Sequence, residues 1–143
     1  MVTITNFIRS TILLGLLSLQ MASAEVLVIV NKTNPINNIS SSDLKNLYLG
    51  KTREFSNGKS AVIYNLNYKG KAREQFEKGA LGKSKSALKR YWSKLIFTGK
   101  GKPPKELSSE QEMVERVSSE AGAIGYVNAN SVNDSVKVIY RIR

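Results

Sequence analysis

The 143-residue sequence contains no cysteine and no histidine. Without cysteine no disulfide can form, so the hydrophobic core alone must stabilise the fold. The two absences also remove the commonest catalytic nucleophile, the commonest general base and the usual zinc ligands. We therefore expect a protein that is not an enzyme and that needs neither a cofactor nor a metal.

The remaining catalytic candidates are two carboxylates, Glu74 and Glu77, which stand three positions apart. This spacing makes them neighbours on one face of a helix. They are surrounded by lysines, however, and this setting favours ordinary salt-bridge partners over an acid–base pair.

Long hydrophobic runs are also absent, apart from one near the start. The segment TILLGLLSLQMA follows a single charge, Arg9, and leads to the small residues that end at Ala24. This arrangement is typical of a secretory signal peptide, and about 12 residues are too few to span a bilayer. We predict a signal peptide over residues 1–24, cleavage after Ala24, a periplasmic protein with no stable membrane insertion after cleavage, and a single domain over residues 25–143.

Positive charge is abundant and unevenly distributed. The net charge is +11, and the stretch from Lys69 to Lys105 holds twelve Lys or Arg residues against two acids, Glu74 and Glu77. A localised positive field attracts anions and weakens with salt. The pattern indicates a negatively charged ligand or partner, although a basic surface that only maintains solubility would look the same.

Strand and helix patterns alternate along the chain. A helix is predicted from its cap at Ser40 to Gly50, another through Phe76, and a third after a cap at Ser108 or Ser109. TGKGKPPK is predicted to be a loop. Strands are predicted at EVLVIV, SAVIYNLN, AGAIGYVNA and SVKVIYRI. Strands separated by helices predict an α/β domain with a mixed, mostly parallel sheet flanked by helices.

The clearest helix pattern covers Ser84 to Phe97. Apolar pairs recur every four residues and predict a buried stripe, in which Trp92 packs against Leu88 and Ile96. The opposite face is basic. The apolar pairs are Ala87 and Leu88, Tyr91 and Trp92, and Leu95 and Ile96, and the basic face carries Lys89, Arg90, Ser93 and Lys94.

The segment NYKGKAREQF joins a predicted strand to a predicted helix. Lys69, Lys71 and Arg73 surround Gly70, which would let the backbone approach a ligand closely. Free N–H groups at the start of a helix favour a bound anion. The same residues would also suit an exposed loop, and no P-loop or dinucleotide glycine pattern is present.

Four segments together resemble a known family. NPINNISSSDLKNLYLGK, GKAREQFEKGALGKS, YWSKLIFTGKGKPPKE and GAIGYV, in this order, resemble the periplasmic phosphate-binding proteins of ABC transporters. They are most similar to short, exported, single-lobe relatives of those proteins. The resemblance covers nearly all of residues 26–138, and it implies a single lobe of the type II periplasmic-binding-protein fold.

The resemblance also implies where a ligand would bind. In full-length phosphate binders the strand-to-helix turn carries an arginine followed by Ser-Gly-Thr; here Leu66, Gly70 and Ala72 take the arginine, serine and threonine positions. The arginine and both hydroxyl groups are therefore missing, and so is a second lobe to exclude water. The implied ligand-binding residues are Lys69, Gly70, Lys71, Ala72 and Arg73.

Two functions follow as alternatives. In the first, the turn binds phosphate or another oxyanion, with a weak or degenerate site that a second chain would complete. In the second, the chain is a non-catalytic interaction module whose basic surface docks an envelope protein or a polyanion. We expect no nucleic-acid partner, because a periplasm offers little nucleic acid to the basic region.

Overall fold

The structure is a computed structural model that describes residues 24–143. Residues 1–23 of the predicted signal peptide lie outside the described residues. In the part that is described, no helix is long and apolar enough to cross a membrane. The strands are β1 (Val26–Asn31), β2 (Val62–Leu66), β3 (Lys105–Leu107), β4 (Ala123–Asn128) and β5 (Val136–Ile142), and the α-helices are α1 (Ser41–Tyr48), α2 (Lys71–Phe76), α3 (Lys85–Phe97) and α4 (Glu110–Ser119).

The five strands form one sheet in the order β3-β2-β4-β1-β5. Strand β2 runs parallel to both β3 and β4, whereas β1 runs antiparallel to its two neighbours, β4 and β5. Four strands therefore point one way and β1 points the other way. This arrangement confirms the predicted α/β fold with a mixed, mostly parallel sheet.

Helices cover both faces of the sheet, as consecutive residues of β4 show. Gly125 faces the side chain of Met113 on α4, while the ring of Tyr126 stacks on Phe76 of α2 with ring centroids 3.9 Å apart. Successive strand residues point to opposite faces. Helices α2 and α4 therefore lie on opposite sides, and the central strands β1 and β4 are buried on both.

Serine side chains set the start of three helices. Ser40, Ser84 and Ser109 each accept a hydrogen bond from the backbone N–H three residues later, at distances of 3.0, 3.2 and 3.0 Å. Each bond satisfies a donor that the first helical turn would otherwise leave unpaired. The predicted starts of α1 and α3 are confirmed, and Ser109 is the cap of α4.

The predicted buried stripe of α3 is wrong in its second half. Leu88 is buried, but Ile96 is 56% exposed and Trp92 is only half-buried. A Cβ atom added to Gly50 would lie 3.1 Å from Trp92, and one added to Gly101 would also be within 4.0 Å. Trp92 thus lies against glycine backbone at Gly50 and Gly101, and its ring is left partly uncovered.

Strand β3 was not predicted, because its residues fall at and just after the end of the expected loop. It has three residues and pairs only with β2, from Tyr64 opposite Lys105 to Leu66 opposite Leu107. A strand this short cannot show an alternating pattern. Proline is tolerated just before an edge strand, so the preceding Pro103 and Pro104 do not prevent the pairing.

The contact between Gly125 and Met113 gives a test of the packing. A Cβ atom on Gly125 would lie 2.2 Å from Met113 Sδ, and Met113 is fully buried. We expect Gly125→Ala to lower the free energy of unfolding by about 1–3 kcal/mol through overpacking. Urea unfolding measures this loss.

The matched experiment also measures the single variant Met113→Ala and the double variant Gly125→Ala, Met113→Ala. If the two residues compete for one space, the double variant should lose less stability than the sum of the two single variants. Strict additivity would show that Gly125 does not need to be small for this reason.

Candidate anion-binding site

The candidate site is the turn between β2 and α2. It follows Leu66 at the carboxyl end of β2, and α2 begins at Lys71 with Gly70 as its cap residue. In open α/β sheets, ligands bind at this kind of strand-to-helix junction. The structure therefore confirms that the predicted turn joins a strand to a helix.

Asn67 organises the turn. Its backbone N–H donates to the carbonyl of Leu107 at 3.0 Å, and its side-chain amide donates to the carbonyl of Ser108 at 3.2 Å. Its side-chain oxygen accepts the N–H of Lys69 at 3.1 Å. These bonds tie the turn to the end of β3 and fix the backbone that leads to Gly70.

The start of α2 differs from the starts of the other described α-helices. Gly70 has no side chain to cap the helix, and the first-turn N–H groups receive no side-chain hydrogen bond. A Cβ atom on Gly70 would meet nothing within 4 Å, so the space outside the turn is open. Uncapped N–H groups that face open space are available to an anion or to water.

Lys69 and Lys71 have exposed side chains beside these N–H groups, whereas the next two predicted site residues are buried. Ala72 is 2% exposed and packs in the core. Leu66, at the position that the family resemblance assigns to arginine, is also buried. Neither Ala72 nor Leu66 has a side chain that can donate a hydrogen bond, so the charged donors at the turn are Lys69 and Lys71.

Arg73 is buried and bonded to three groups inside the protein. Its Nε donates to Glu77 Oε1 at 2.5 Å, and one terminal nitrogen donates to Glu106 Oε1 at 2.6 Å and to the Leu66 carbonyl at 2.8 Å. Its guanidinium carbon lies 3.5 Å from the centre of the Tyr68 ring. The charge of Arg73 is therefore paired with two carboxylates, although the residue still lines the cleft beside the turn.

The charge of Arg73 is held by its partners. Burial lowers the pKa of Arg73, but the hydrogen bonds to Glu106 and Glu77 outweigh this effect and leave the pKa above its ordinary value. Glu77 is 3% exposed and lies in a π-helical turn, Glu77–Leu81, that continues α2. Arg73 is thus a structural residue that compensates a buried carboxylate.

A second network holds the end of β2. The hydroxyl of Tyr126 donates to the Asn65 side-chain oxygen and accepts the N–H of Leu66 at 3.3 Å. Burial raises the pKa of Tyr126, so the hydroxyl keeps its proton near neutral pH. The strand end that precedes the turn is therefore fixed from both sides, by Tyr126 and by Arg73.

A cleft of about 580 Å³ lies beside the turn, between α2 and the start of α3. Tyr68 and Gly70 line it on one side, and Lys85 contacts the Tyr68 ring at 4.3 Å from its centre. The cleft also contains lysines that the ion pairs of residues 24–143 leave unpaired. These lining lysines are Lys83, Lys85 and Lys89.

Some contacts around the turn could be predicted from the sequence and others could not. The spacing of Arg73 and Glu77 is that of a helical salt bridge and could have revealed their pairing. Nothing local connects Arg73 to Glu106, 33 residues later, because the contact depends on the missed strand β3. The position of Tyr68 in the cleft could not be predicted from the sequence either, because it depends on how α3 packs beside the turn.

A model of the family described as the PBP superfamily domain matches residues 14–140. The chain belongs to this family. No curated protein matches the chain. The match spans most of the sequence and supports the family resemblance on independent grounds.

Solved structures with the same fold are larger than this PBP-superfamily chain. An ABC-type phosphate transport receptor from Vibrio cholerae is similar with a TM-score of 0.64 and 20% identity, over 81% of this chain and 46% of that chain. A putative phosphate ABC transporter substrate-binding protein with bound phosphate from Clostridium perfringens has a TM-score of 0.65 and 19% identity, over 81% of this chain and 45% of that chain. PstS from Borrelia burgdorferi has a TM-score of 0.60 and 14% identity, over 81% of this chain and 47% of that chain.

These likenesses establish the fold. The chain spans less than half the length of each of the three proteins and corresponds to a single lobe of their fold. The first of these proteins is named as a phosphate transport receptor and the second as a putative substrate-binding protein. The boundaries of the predicted domain and the predicted ligand residues stay predictions.

The pairing of Arg73 with Glu77 can be tested by mutation. Arg73→Ala would leave the Glu77 carboxylate buried without its partner, so we expect a loss of about 3–5 kcal/mol in the free energy of unfolding. The double variant Arg73→Ala, Glu77→Gln should recover part of this loss. Urea unfolding of both variants makes the comparison, and a single-variant loss below about 1 kcal/mol would contradict a structural role for Arg73.

Proposed function

We propose that this chain is an exported oxyanion-binding protein, resembling the substrate-binding component of a phosphate ABC transporter, with a weak site at the β2–α2 turn. The observation that supports it best is the uncapped start of α2 at Gly70, beside the exposed Lys69 and Lys71. The fold shared with phosphate receptors supports the same ligand class.

The weakness of the site follows from three features. Arg73 is already paired with two carboxylates, and Ala72 supplies no hydroxyl group. The turn is also open to solvent outside Gly70. An ion pair exposed to water contributes roughly 0–1 kcal/mol, far less than a buried one.

Long-range attraction adds to these local contacts. The unpaired lysines of the neighbouring cleft, Lys83, Lys85 and Lys89, raise the local concentration of anions near the turn. Salt screens such attraction over about 8–10 Å. Binding should therefore weaken strongly as ionic strength rises and should discriminate little between phosphate and sulfate.

The first test is titration calorimetry with phosphate and with sulfate. We expect dissociation constants near or above about 0.1 mM, the affinity of an open site. Lys69→Ala, Lys71→Ala should abolish the binding and leave the melting temperature nearly unchanged, because exposed charges contribute little to folding.

A matched control removes two exposed lysines elsewhere, by Lys45→Ala and Lys59→Ala. This control has the same net charge as the first double variant and should keep most of the binding. Submicromolar phosphate binding by the monomer would instead show a complete, water-excluding site. An equal loss in both double variants would show attraction by net charge alone.

The alternative function is a non-catalytic interaction module in the cell envelope. The engagement of Arg73 favours it, because the turn has lost its strongest anion ligand to the protein interior. Pull-down from an envelope extract at low and high salt would distinguish it from solute binding. The interaction module would be supported if the pull-down retains a partner while titration with phosphate releases no heat.

A further inference from the structure

The carboxyl end of α3 exposes large apolar side chains that the fold does not use. Phe97 is 92% exposed and Ile96 is 56% exposed, at the last two positions of the helix. Both are separate from the β2–α2 turn, because α3 begins next to that turn and ends 12 positions further on. Packing within the described chain therefore does not account for them.

The geometry of the helix end holds these side chains outward. The N–H of Gly99 donates to the carbonyl of Ile96 at 3.1 Å, and the N–H of Lys100 donates to that of Leu95 at 2.9 Å, with Gly99 at φ 68°. This pair of bonds is a Schellman motif, which ends the helix and reverses the chain. The following loop then covers Trp92 and Leu95 at Gly101 and leaves Phe97 outside.

Basic side chains share the face of α3 that carries Phe97. Arg90 and Lys94 lie seven and three positions before Phe97, so they share its face of the helix. No aspartate or glutamate occurs from Gly82 to Lys105. We call this end of α3, together with the loop that follows it, the Phe97 face. It carries Arg90, Lys94 and Phe97 on one side of the helix, Ile96 about 100° further around it, and Lys100 and Lys102 on the loop.

A second basic cleft adjoins the Phe97 face. It has a volume of about 440 Å³ and lies beside Trp92, and no carboxylate is among its lining residues. The cations that line it are Lys51, Arg53, Lys100, Lys102 and Lys105. The positive groups therefore continue from the helix onto the neighbouring loops, as a surface that contacts several anionic groups at once would require.

We propose that the Phe97 face binds the surface of an anionic lipid bilayer. Phe97 and Ile96 would enter the boundary between headgroups and acyl chains, and the lysines would contact lipid phosphates. Exposed aromatic and aliphatic residues within a lysine-rich surface are characteristic of such interfacial binding. The binding is peripheral, since no described helix can span a membrane.

A protein partner fits this surface less well. Stable protein interfaces bury roughly 800 Å² on each partner and are depleted of lysine at their centre. Two exposed apolar side chains cannot provide such a centre, and seven of the eight cations from Lys83 to Lys105 are lysines. Charge complementarity and the small apolar area both favour a lipid surface.

The test uses the full chain and vesicles of phosphatidylcholine and phosphatidylglycerol in a ratio of about 7:3. Trp92, the sole tryptophan of the sequence, lies next to the Phe97 face and serves as a local reporter. With brominated acyl chains we expect quenching of its fluorescence, and with pure phosphatidylcholine or at high salt we expect little. Inorganic phosphate should not displace the vesicles, which separates this surface from the β2–α2 turn.

Variants at the exposed positions provide the decisive comparison. Phe97→Ser should reduce the vesicle partition coefficient about tenfold, whereas Phe97→Leu should retain most of it. Lys94→Gln, Lys102→Gln should reduce it by about tenfold or more. The control Arg141→Gln, Arg143→Gln removes the same charge from the end of β5 and should have little effect.

All variants share residues 1–23, so any contribution of that segment to vesicle binding cancels when their partition coefficients are compared. The proposal is overturned if Trp92 is not quenched while the protein sediments with vesicles. It is equally overturned if Phe97→Ser binds as well as the unmodified chain, or if the β5 control loses as much binding as the Lys94, Lys102 variant.

Discussion

The guanidinium of Arg73 is the group on which the geometry of the candidate site depends. It joins the last carbonyl of β2, the buried carboxylate of Glu77 and the edge-strand carboxylate of Glu106. A buried carboxylate without this partner would carry a large desolvation penalty. The interaction that positions the β2–α2 turn is thus also the one that removes a positive charge from it, and only Lys69 and Lys71 remain beside the uncapped helix start.

Much of the fold could be predicted from local signals. Ser40 and Ser84 mark helix starts because each side chain bonds a backbone N–H three residues later, and the apolar β-branched segment of β1 marks a strand buried on both faces. The edge strand β3 could not be predicted, since three residues carry no periodicity and only the parallel pairing with β2 defines them. The amphipathic pattern of α3 placed Ile96 in the core, but the pattern cannot report that glycine backbone lies opposite the second half of the helix.

The candidate site was predictable in position and not in chemistry. A glycine among cations, between a strand and a helix, locates the turn because these elements are encoded nearby in the sequence. Whether a cation is free depends on its partners, and the partner of Arg73 on β3 is remote in sequence. Counting charges along Lys69 to Lys105 therefore overestimates the field at the turn, since the count stops before Glu106, which also pairs with Arg73.

Unpaired positive charge of the stretch from Lys69 to Lys105 lies near both ends of α3. One end faces the β2–α2 turn through Lys85, and the other carries the Phe97 face. A helix of 13 residues separates them by about 20 Å at a rise of 1.5 Å per residue. This distance is more than twice the screening length of about 8 Å at physiological salt. An anion at one end therefore leaves the potential at the other nearly unchanged, so a chain attached to a lipid surface through Phe97 would still present an unaltered turn to solutes.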